Sequence, residues 1–402
     1  MPTIPLLKDY HNHPSIYACL QASVNLGDCS DKATATARIM SSCPADRLSI
    51  ILGWNSGFYE FTKEELAKLP PVFICNISLH SYLVNSKGAE FLTDKFPDVI
   101  ESINDPEWVE RNLYRIKQVI GHFSPLDAGG LKKFFNEYLM ERGVYYAEDM
   151  LVLFPETISL TEQAGVLERT KLWAPPDVYG RLDKHLQEKV NGLKIFTDGA
   201  IGAGSAAVNA DYKDGKKGIL LYTDEELFNL IKASLRHDKP FSIHAIGDQA
   251  IEQTISAIEQ VKADTGKAPT VRIEHCQFIT RAQAARAKSL GLLLGMQPNF
   301  SFDSKMYDGY LPTEFLKGNN PFRMLIDEYG FQPGKDLLLG SDGMPHGAQF
   351  ALEQSLLPSI PGQRLTLEEF CAGYCMPDQS HGRIELDISN DSKITTKILP
   401  AS

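Results

Sequence analysis

Short apolar runs alternate with amphipathic stretches along most of the chain. Runs such as the one before His275 in TVRIEHCQ and the one before Asp342 in DLLLGSDG are each followed by a polar or glycine-containing turn. Buried parallel strands have this length and composition, and the helices that cover them are amphipathic. The pattern therefore predicts β-strands that alternate with α-helices.

Eight segments have the character of such strands. In chain order they are PLLKDYHNH (5–13), GVYYAEDM (143–150), RTKLWAP (169–175), GLKIFTDG (192–199), PFSIHAIGD (240–248), TVRIEHCQ (270–277), GLLLGMQP (291–298) and DLLLGSDG (336–343). Alternating strand and helix units in this number, over this length, predict an α/β fold of the (β/α)8 TIM-barrel type. No G-x-G-x-x-G or P-loop motif occurs, which disfavours a nucleotide-binding sheet.

Helix boundaries can be placed between several of these strands. Thr223 and Glu226 have the spacing of a capping box, and Thr280 is expected to cap RAQAARAKSL, which stops before Gly291. Asp248 is likewise expected to cap QAIEQTISAIEQVKA. These signals predict long helices after the fourth, fifth and sixth strands.

The region between the first two strand segments does not follow the alternation. LSIILGWN (48–55) and PVFICNISLH (71–80) predict extra strands, and PEWVERNLYRIKQVI (106–120) predicts helix. Because a structureless loop of this length is improbable, we expect an inserted substrate-binding subdomain over residues 15–142, beside the active site. The barrel then comprises residues 1–14 and 143–375, and residues 376–402 form a C-terminal tail with a short hairpin or terminal strand at most.

Composition excludes several classes of protein. The net charge of −11, from 40 Lys and Arg against 51 Asp and Glu, disfavours a nucleic-acid partner. The seven cysteines are odd in number and form no C-x-x-C pair, which fits a reducing cytoplasm. The N-terminus lacks the pattern of a signal peptide, and no run approaches the roughly 20 apolar residues of a membrane span. We therefore expect a soluble cytoplasmic protein that acts on small molecules.

Histidines and one aspartate occupy the ends of the predicted strands. His11 and His13 form an H-x-H at the first strand, His244 and His275 end the fifth and sixth, and Asp342 closes the eighth. Residues two apart on a strand share a face, and the carboxyl ends of barrel strands converge on one crevice. Four imidazoles and one carboxylate suit zinc or a similar divalent ion.

Lys194 lies in an otherwise apolar fourth strand. In a structural role, its side chain extends to solvent or pairs with a carboxylate. In a functional role, its amine reacts with CO2. Carbamylation converts the ammonium into an anion whose two oxygens can bridge two metal ions. Both interpretations remain open at the level of the residues.

Six motifs together resemble the amidohydrolase superfamily, in its amidohydrolase 3 branch of N-substituted formamide deformylase and uncharacterised relatives. They are His11-x-His13, KIFTDGAIGAG at Lys194, HAIGDQAI at His244, IEHCQ at His275, GSDGMP at Asp342, and HSYLVNSKG (80–88), which is similar to an insertion motif of that branch. The resemblance covers about residues 8–375. It implies a TIM barrel, and one or two Zn2+ ions, with Fe2+, Mn2+ or Ni2+ as alternatives. The ligands implied are His11, His13, His244, His275, Asp342 and an N6-carboxylated Lys194.

The resemblance also implies a reaction. A metal-activated water would attack an amide, formamide, cyclic amide or ester, with Asp342 as general base and His80 or a metal ion polarising the carbonyl. Substrate contacts are expected from loops and from the insertion, at Trp54, His80, Tyr82, Asn85, Asp198, Gln297, Phe300, Arg323 and His346. Arg323 is expected to bind either a substrate carboxylate or a structural Asp.

This sequence departs from the family at its termini. Members of the family carry a β-sandwich built from segments before and after the barrel, whereas here the H-x-H begins at His11. The sandwich is expected to be missing or vestigial, which favours a homodimer or higher homo-oligomer. Two alternatives to hydrolysis also stay open: deamination, decarboxylation or isomerisation at the same metal site, and a non-catalytic ligand-binding barrel.

Overall fold

The computed structural model of the chain describes residues 2–388 and 393–401. Within these residues the strands belong to an eight-stranded, a four-stranded and a three-stranded sheet. In chain order the strands are β1 (Thr3–Pro5), β2 (Leu7–Asn12), β3 (Val24–Asn25), β4 (Ser49–Trp54), β5 (Val72–Asn76), β6 (Tyr82–Val84), β7 (Val144–Asp149), β8 (Leu172–Ala174), β9 (Val190–Phe196), β10 (Phe241–Ala245), β11 (Val271–His275), β12 (Leu293–Met296), β13 (Leu337–Leu339), β14 (Arg383–Ile388) and β15 (Ile394–Leu399).

Helices cover the sheets and connect the strands. The α-helices are α1 (Pro14–Leu20), α2 (Lys32–Ser42), α3 (Lys63–Lys68), α4 (Ser86–Leu92), α5 (Pro97–Ser102), α6 (Pro106–Arg111), α7 (Leu113–Phe123), α8 (Ala128–Lys133), α9 (Pro155–Gln163), α10 (Pro176–Tyr179), α11 (Lys184–Lys189), α12 (Asp224–Ser234), α13 (Asp248–Thr265), α14 (Arg281–Leu290), α15 (Asp303–Met306), α16 (Thr313–Leu316), α17 (Ala348–Leu356) and α18 (Leu367–Tyr374). Two π-helical turns span Phe134–Leu139 and Met324–Glu328. Short 3-10 turns span Met140–Arg142, Leu167–Arg169, Ile201–Ala203, Leu235–His237, Pro298–Phe302 and Pro361–Gln363.

The eight predicted strand segments form one parallel sheet in chain order, β2-β7-β8-β9-β10-β11-β12-β13. Its two edges meet, because the Asp342 N–H donates to the His11 carbonyl at 2.7 Å and the Ser341 N–H donates to the Asp9 carboxylate at 2.9 Å. The predicted TIM barrel is therefore confirmed. Its near closure brings Asp342, at the end of the last strand, beside the H-x-H of the first.

Apolar strand residues fill the barrel and the layer beneath the helices. Ile243, Ile273, Leu294 and Leu339 are fully buried, as the short apolar runs predicted. Each such side chain contributes roughly 1.5–3 kcal/mol through removal from water. This rigid frame holds the strand ends at fixed positions, where the polar residues lie.

Helix termini follow the sequence signals with one exception. Thr223 and Thr280 both form capping boxes, and α14 ends at Leu290 with Gly291 as its C-cap residue, whose φ of 72° is favourable for glycine. The prediction that Asp248 caps α13 is wrong. Gly247 is the N-cap residue, and the Asp248 carboxylate instead accepts the backbone N–H and the side-chain amide of Asn209, each at 2.8 Å.

The long segment between β2 and β7 contains the predicted extra strands. Strands β3, β4, β5 and β6 form a separate four-stranded sheet with its own apolar cluster, which includes Leu26, Ile39, Ile51 and Ile74. Helix α7, from the same segment, packs against α1, and its apolar side chains join the barrel core. The division of the chain into a barrel, an insertion over residues 15–142 and a tail stays a prediction.

The terminal segments form one small antiparallel sheet in the order β1-β14-β15. Strands β14 and β15 pair as a hairpin, and β1 pairs with β14 through Thr3 to Pro5. The sequence predicted at most a short hairpin or terminal strand for the tail, and the tail forms the β14-β15 hairpin. The sequence also predicted that the β-sandwich of the resembled family would be missing or vestigial, and the two termini together form only this three-stranded sheet in the described residues. In the ranges that the structure describes, no helix is both long and apolar enough to cross a membrane.

Candidate metal centre and its cavity

A cavity of about 520 Å³ opens at the carboxyl ends of the barrel strands. His80, His244, His275 and Asp342 contribute to its lining, together with residues of the inserted sheet such as Gly53. Active sites of TIM barrels lie at this end, because loops from all eight strands converge there. The cavity therefore contains residues that the sequence placed hundreds of positions apart.

His11 lies beneath the cavity and is oriented by an acid that the sequence analysis missed. Its Nδ1 donates to Glu274 Oε2 at 2.7 Å, and both side chains are almost fully buried. Glu274 also accepts hydrogen bonds from Arg272 and from the Ser242 hydroxyl. Because Nδ1 is used for this bond, Nε2 of His11 carries a free lone pair directed away from Glu274.

The backbone at the end of β11 places two neighbouring side chains in the same site. Side chains normally alternate along a strand, and Arg272 and Glu274 accordingly bond to each other inside the barrel. His275 and Cys276 then adopt φ values of 70° and 47°, in the left-handed region that is uncommon for such residues. This change of direction allows His275 to lie with its ring centroid 4.6 Å from that of His11.

His244 and His275 each use one ring nitrogen for an oxygen acceptor. His244 Nε2 donates to the Gly199 carbonyl at 3.1 Å, and His275 Nδ1 donates to the Gln297 side-chain oxygen at 2.7 Å. Their ring centroids are 4.4 Å apart. Burial is the main cause that lowers the pKa of His11, His244 and His275 well below the usual histidine value. All three are therefore neutral at pH 7, the form that binds a metal ion.

Asp342 and His13 complete the group of residues around His11. Asp342 Oδ1 lies 3.7 Å from His11 Nε2 and 3.2 Å from His13 Nε2. Burial alone would raise the pKa of Asp342, but the hydrogen bond from His13 and the adjacent His11 hold this pKa well below the usual range. A φ of 56° turns Asp342 out of the strand direction. The site thus contains an ionised carboxylate facing two imidazoles.

Lys194 extends from β9 into the same interior space. Its side chain is only 1% exposed, and Nζ has no hydrogen-bond partner among the described residues. Burial lowers the pKa of its amine to about 8, against partial compensation from Glu274 and Asp342. A buried amine without a partner is costly, and the unprotonated form is the one that reacts with CO2.

These residues fit a divalent metal ion. His11, His275 and Asp342 offer ligand atoms that all lie within 4.8 Å of one another. His13 Nδ1 and Lys194 Nζ are buried polar atoms without hydrogen-bond partners in the described part of the chain. Neutral imidazoles and a carboxylate are a donor set that zinc and related ions prefer.

A second pair of buried side chains, His80 and Glu110, adjoins this group. His80 Nδ1 donates to Glu110 Oε2 at 2.8 Å, and the Ser205 hydroxyl donates to the other carboxylate oxygen. The ring centroid of His80 is 5.6 Å from that of His244. The sequence analysis did not identify Glu110, because it lies on α6 in a stretch whose sequence is typical of a surface helix. No spacing in the sequence connects it with His80.

Three of the residues predicted to contact substrate line the cavity. They are His80, Phe300 and His346. Phe300 stacks on His275 at a centroid distance of 5.8 Å and an interplanar angle of 14°. His346 Nε2 donates to Asn12 Oδ1 at 3.0 Å, and burial lowers its pKa to about 3. It is therefore a neutral polar group in the wall of the cavity.

The other predicted contacts do not line this cavity, and several have structural partners. Trp54 donates to the Tyr59 carbonyl, Tyr82 donates to the Leu79 carbonyl, and Asn85 caps α4. Arg323 bonds the carboxylate of Glu369 at 2.7 Å and lies 3.7 Å from the carboxylate of Asp327.

Asp198 and Gln297 lie one layer behind the cavity. Asp198 accepts the backbone N–H groups of Ala207, Ile246 and Gly247. Gln297 accepts the hydrogen bond from His275. Gln297 therefore orients a side chain that lines the cavity, and Asp198 fixes the backbone of loops beside it.

Replacing Glu274 by glutamine should weaken metal binding about 10–100-fold, because the His11 ring loses the carboxylate that fixes its tautomer and orientation. Metal affinity of the purified variant, measured by competition with a chromogenic chelator, tests this expectation. Glu148→Gln is the matched control: Glu148 accepts from Arg272 at 3.0 Å, as Glu274 does, but does not bond His11. Equal losses in both variants would indicate a general packing effect and contradict the orienting role of Glu274.

Comparison with known proteins extends these observations. Residues 157–348 match the model of the Amidohydrolase family. The putative amidohydrolase YtcJ of Bacillus subtilis (strain 168) is 33% identical over 110 residues, which are 27% of this chain and 20% of that protein. Protein LONG AFTER FAR-RED 3 of Arabidopsis thaliana is 26% identical over 379 residues, covering 79% of this chain and 64% of that protein. The chain thus spans less than two thirds of either curated relative.

Solved structures show the same fold. An uncharacterized metal-dependent hydrolase from Pyrococcus furiosus superposes with a TM-score of 0.66 and 20% identity, covering 92% of this chain and 80% of that one. A second, from Pyrococcus horikoshii OT3, gives a TM-score of 0.65 and 21% identity, covering 91% and 77%. At this level of sequence identity, the similarity supports the barrel fold. The chemistry must be argued from the residues of the site.

Proposed function

We propose that the chain is a divalent-metal-dependent hydrolase of a small molecule and a member of the amidohydrolase superfamily, in its amidohydrolase 3 branch, because residues 157–348 match the model of the Amidohydrolase family. The bond cleaved is a C–N bond of an amide, formamide or cyclic amide, or an ester bond. One observation carries this proposal: four imidazoles, Asp342 and the Lys194 amine, which has no hydrogen-bond partner among the described residues, come together at or just beneath a single cavity at the carboxyl ends of the strands.

The proposed ligands fall into two groups. His11 and His13 with Asp342 would hold one ion, and His244 and His275 would hold a second, with carboxylated Lys194 between them. Zn2+ is the first choice for this donor set, and Fe2+, Mn2+ or Ni2+ are alternatives. A divalent ion bound here supplies Lewis acidity, which lowers the pKa of a water molecule and polarises a carbonyl oxygen.

Asp342 is the proposed general base. Its carboxylate is ionised, lies at the edge of the cavity, and is held by the hydrogen bond to His13. An ionised carboxylate can accept a proton from the attacking water and then give it to the leaving nitrogen or oxygen. Since Asp342 follows the eighth strand at a left-handed turn, its position is fixed by the backbone of the barrel.

His80 is the proposed partner of the substrate carbonyl. The Nδ1–H of its ring is held by Glu110, so Nε2 is the nitrogen left for the cavity. In its doubly protonated form His80 donates from Nε2 to an oxygen on which negative charge develops. Glu110 acts through His80 as a positioning residue, and the Ser205 hydroxyl fixes the orientation of that carboxylate.

Metal removal tests the proposal directly. The metal-replete protein, prepared with bicarbonate, should hydrolyse at least one member of a panel of N-formyl, N-acyl, cyclic amide and ester compounds. Chelation should abolish that turnover and lower the melting temperature, because a ligand that binds the folded state stabilises it. Adding back Zn2+ or another divalent ion should restore both. Turnover that survives in metal-free protein, shown by elemental analysis, would contradict the proposed function.

A further inference from the structure

Among the described residues that line the cavity, one acidic side chain is not used by the proposed mechanism. Asp303 lies at the start of α15, lines the cavity and is partly buried. The Gln277 side-chain amide donates to its Oδ2 at 2.9 Å. Gln277 follows the metal-site residue His275 by two positions, so Asp303 belongs to the wall that adjoins the candidate metal centre.

Asp303 has no cationic partner in the described part of the chain. No described lysine or arginine lines the cavity, and no ion pair involves this carboxylate. Burial raises the pKa of Asp303 to about 7, and the Gln277 amide offsets this only in part. Arg323, the cation that the sequence suggested for a substrate carboxylate, bonds Glu369 instead. With a pKa of about 7 the Asp303 side chain is partly ionised at pH 7; a cation bound beside it would stabilise the carboxylate form, whereas an anionic substrate group would be repelled by that form.

Aromatic residues flank Asp303 along the chain, and their side chains line the same cavity. Phe300, Phe302 and Tyr307 come from the segment that carries Asp303. Burial raises the pKa of Tyr307 well above its usual range, and the charge of Asp303 adds to this effect, as expected for near neighbours. Aromatic faces and a carboxylate are the combination that binds an organic cation, through cation–π attraction and charge pairing.

We propose that Asp303, with Phe302 and Tyr307, forms a subsite for an alkylammonium group of the substrate. This inference rests on the proposed function and narrows its substrate to amides, formamides or esters that carry a cationic nitrogen on an apolar body. The reacting bond would lie toward His275 and Asp342, and the cation would lie toward Asp303. A substrate cation at this position would pair with the Asp303 carboxylate, for which the described residues of the protein provide no cationic partner.

Binding of benzyltrimethylammonium to the metal-replete protein tests the subsite without requiring turnover. A quaternary ammonium cannot ligate a metal ion, so its binding reports on the carboxylate and aromatic wall. Calorimetric titration should show that Asp303→Asn weakens this binding by about tenfold or more. Asp308→Asn is the matched control, because Asp308 is exposed, lies on the same segment and does not line the cavity. It should change the affinity less than twofold.

Neopentylbenzene, the neutral isostere of benzyltrimethylammonium without a metal-ligating atom, serves as the neutral probe and should bind both variants and the wild-type protein equally. Equal binding of benzyltrimethylammonium to wild type and Asp303→Asn, or its failure to bind wild type at all, would overturn the proposal. A wild-type preference for neopentylbenzene over the cation would also overturn it, and this comparison uses only the wild-type protein, so it does not depend on whether a variant folds. Metal content and turnover of the amide panel are measured separately, so loss of the proposed function is distinguishable from loss of the subsite.

Discussion

Asp342→Asn is expected to lower kcat/KM by about 10²–10⁴-fold while much of the bound metal is retained. The asparagine oxygen can still face His11 and His13, but the amide cannot accept the proton of the attacking water. Turnover of the best compound from the amide and ester panel, together with elemental analysis of the same sample, measures both quantities. Full activity in this variant would remove Asp342 from the role of general base.

The matched control for this variant lies next to the same strand. Asp336 immediately precedes β13, at the end opposite to Asp342, and pairs with Lys288. Asp336→Asn makes the same chemical change, loses one ion pair near the surface, and should leave kcat/KM within about twofold. A large loss in both variants would point to a general effect on the eighth strand rather than to proton transfer.

Lys194→Ala is expected to reduce both metal content and turnover, the latter by more than about 10³-fold, since the proposed bridging ligand is removed. Addition of acetate or propionate should restore part of the activity, because a small carboxylate can occupy the space and supply two anionic oxygens. Wild-type protein equilibrated with isotopically labelled bicarbonate should show one carbamate carbon by NMR. Retention of full metal content and activity in Lys194→Ala would contradict the bridging role.

Lys189→Ala provides the control for this experiment. Lys189 directly precedes β9, the strand that carries Lys194, and pairs with Glu162 at the other end of the barrel. Its replacement should affect neither metal content nor turnover, and added carboxylate should have no effect. Rescue that is specific for Lys194→Ala would separate a ligand role from a packing defect in β9.

The fold was largely accessible from sequence because strand ends and helix caps are local properties. The runs before His244, His275 and Asp342 combine buried strand composition with a polar last residue, and barrel geometry then requires their convergence. Asp248 shows the limit of this reasoning. Its position predicted a cap, but Asn209, which lies on a distant loop, satisfies the carboxylate instead.

Residues that act through another side chain were not accessible from sequence. Glu274 precedes His275 and, by strict alternation, would point away from the same site; the positive φ values of His275 and Cys276 bring both residues to it. Glu110 and Asp303 lie on short helices whose sequence is typical of exposed segments. Their proximity to His80 and to the cavity depends on how separate elements pack.

The sequence by itself determined the alternation of strands and helices, and placed histidines, Lys194 and Asp342 at or within those strands. These are short-range properties, set by burial and by the periodicity of the backbone. Only the tertiary structure decided which polar groups face one another. Pairs such as His11 with Glu274, and the exclusion of Arg323 from the cavity, depend on near closure of the barrel and on loops packed over its mouth. That packing is a property of distant contacts, which no local pattern encodes.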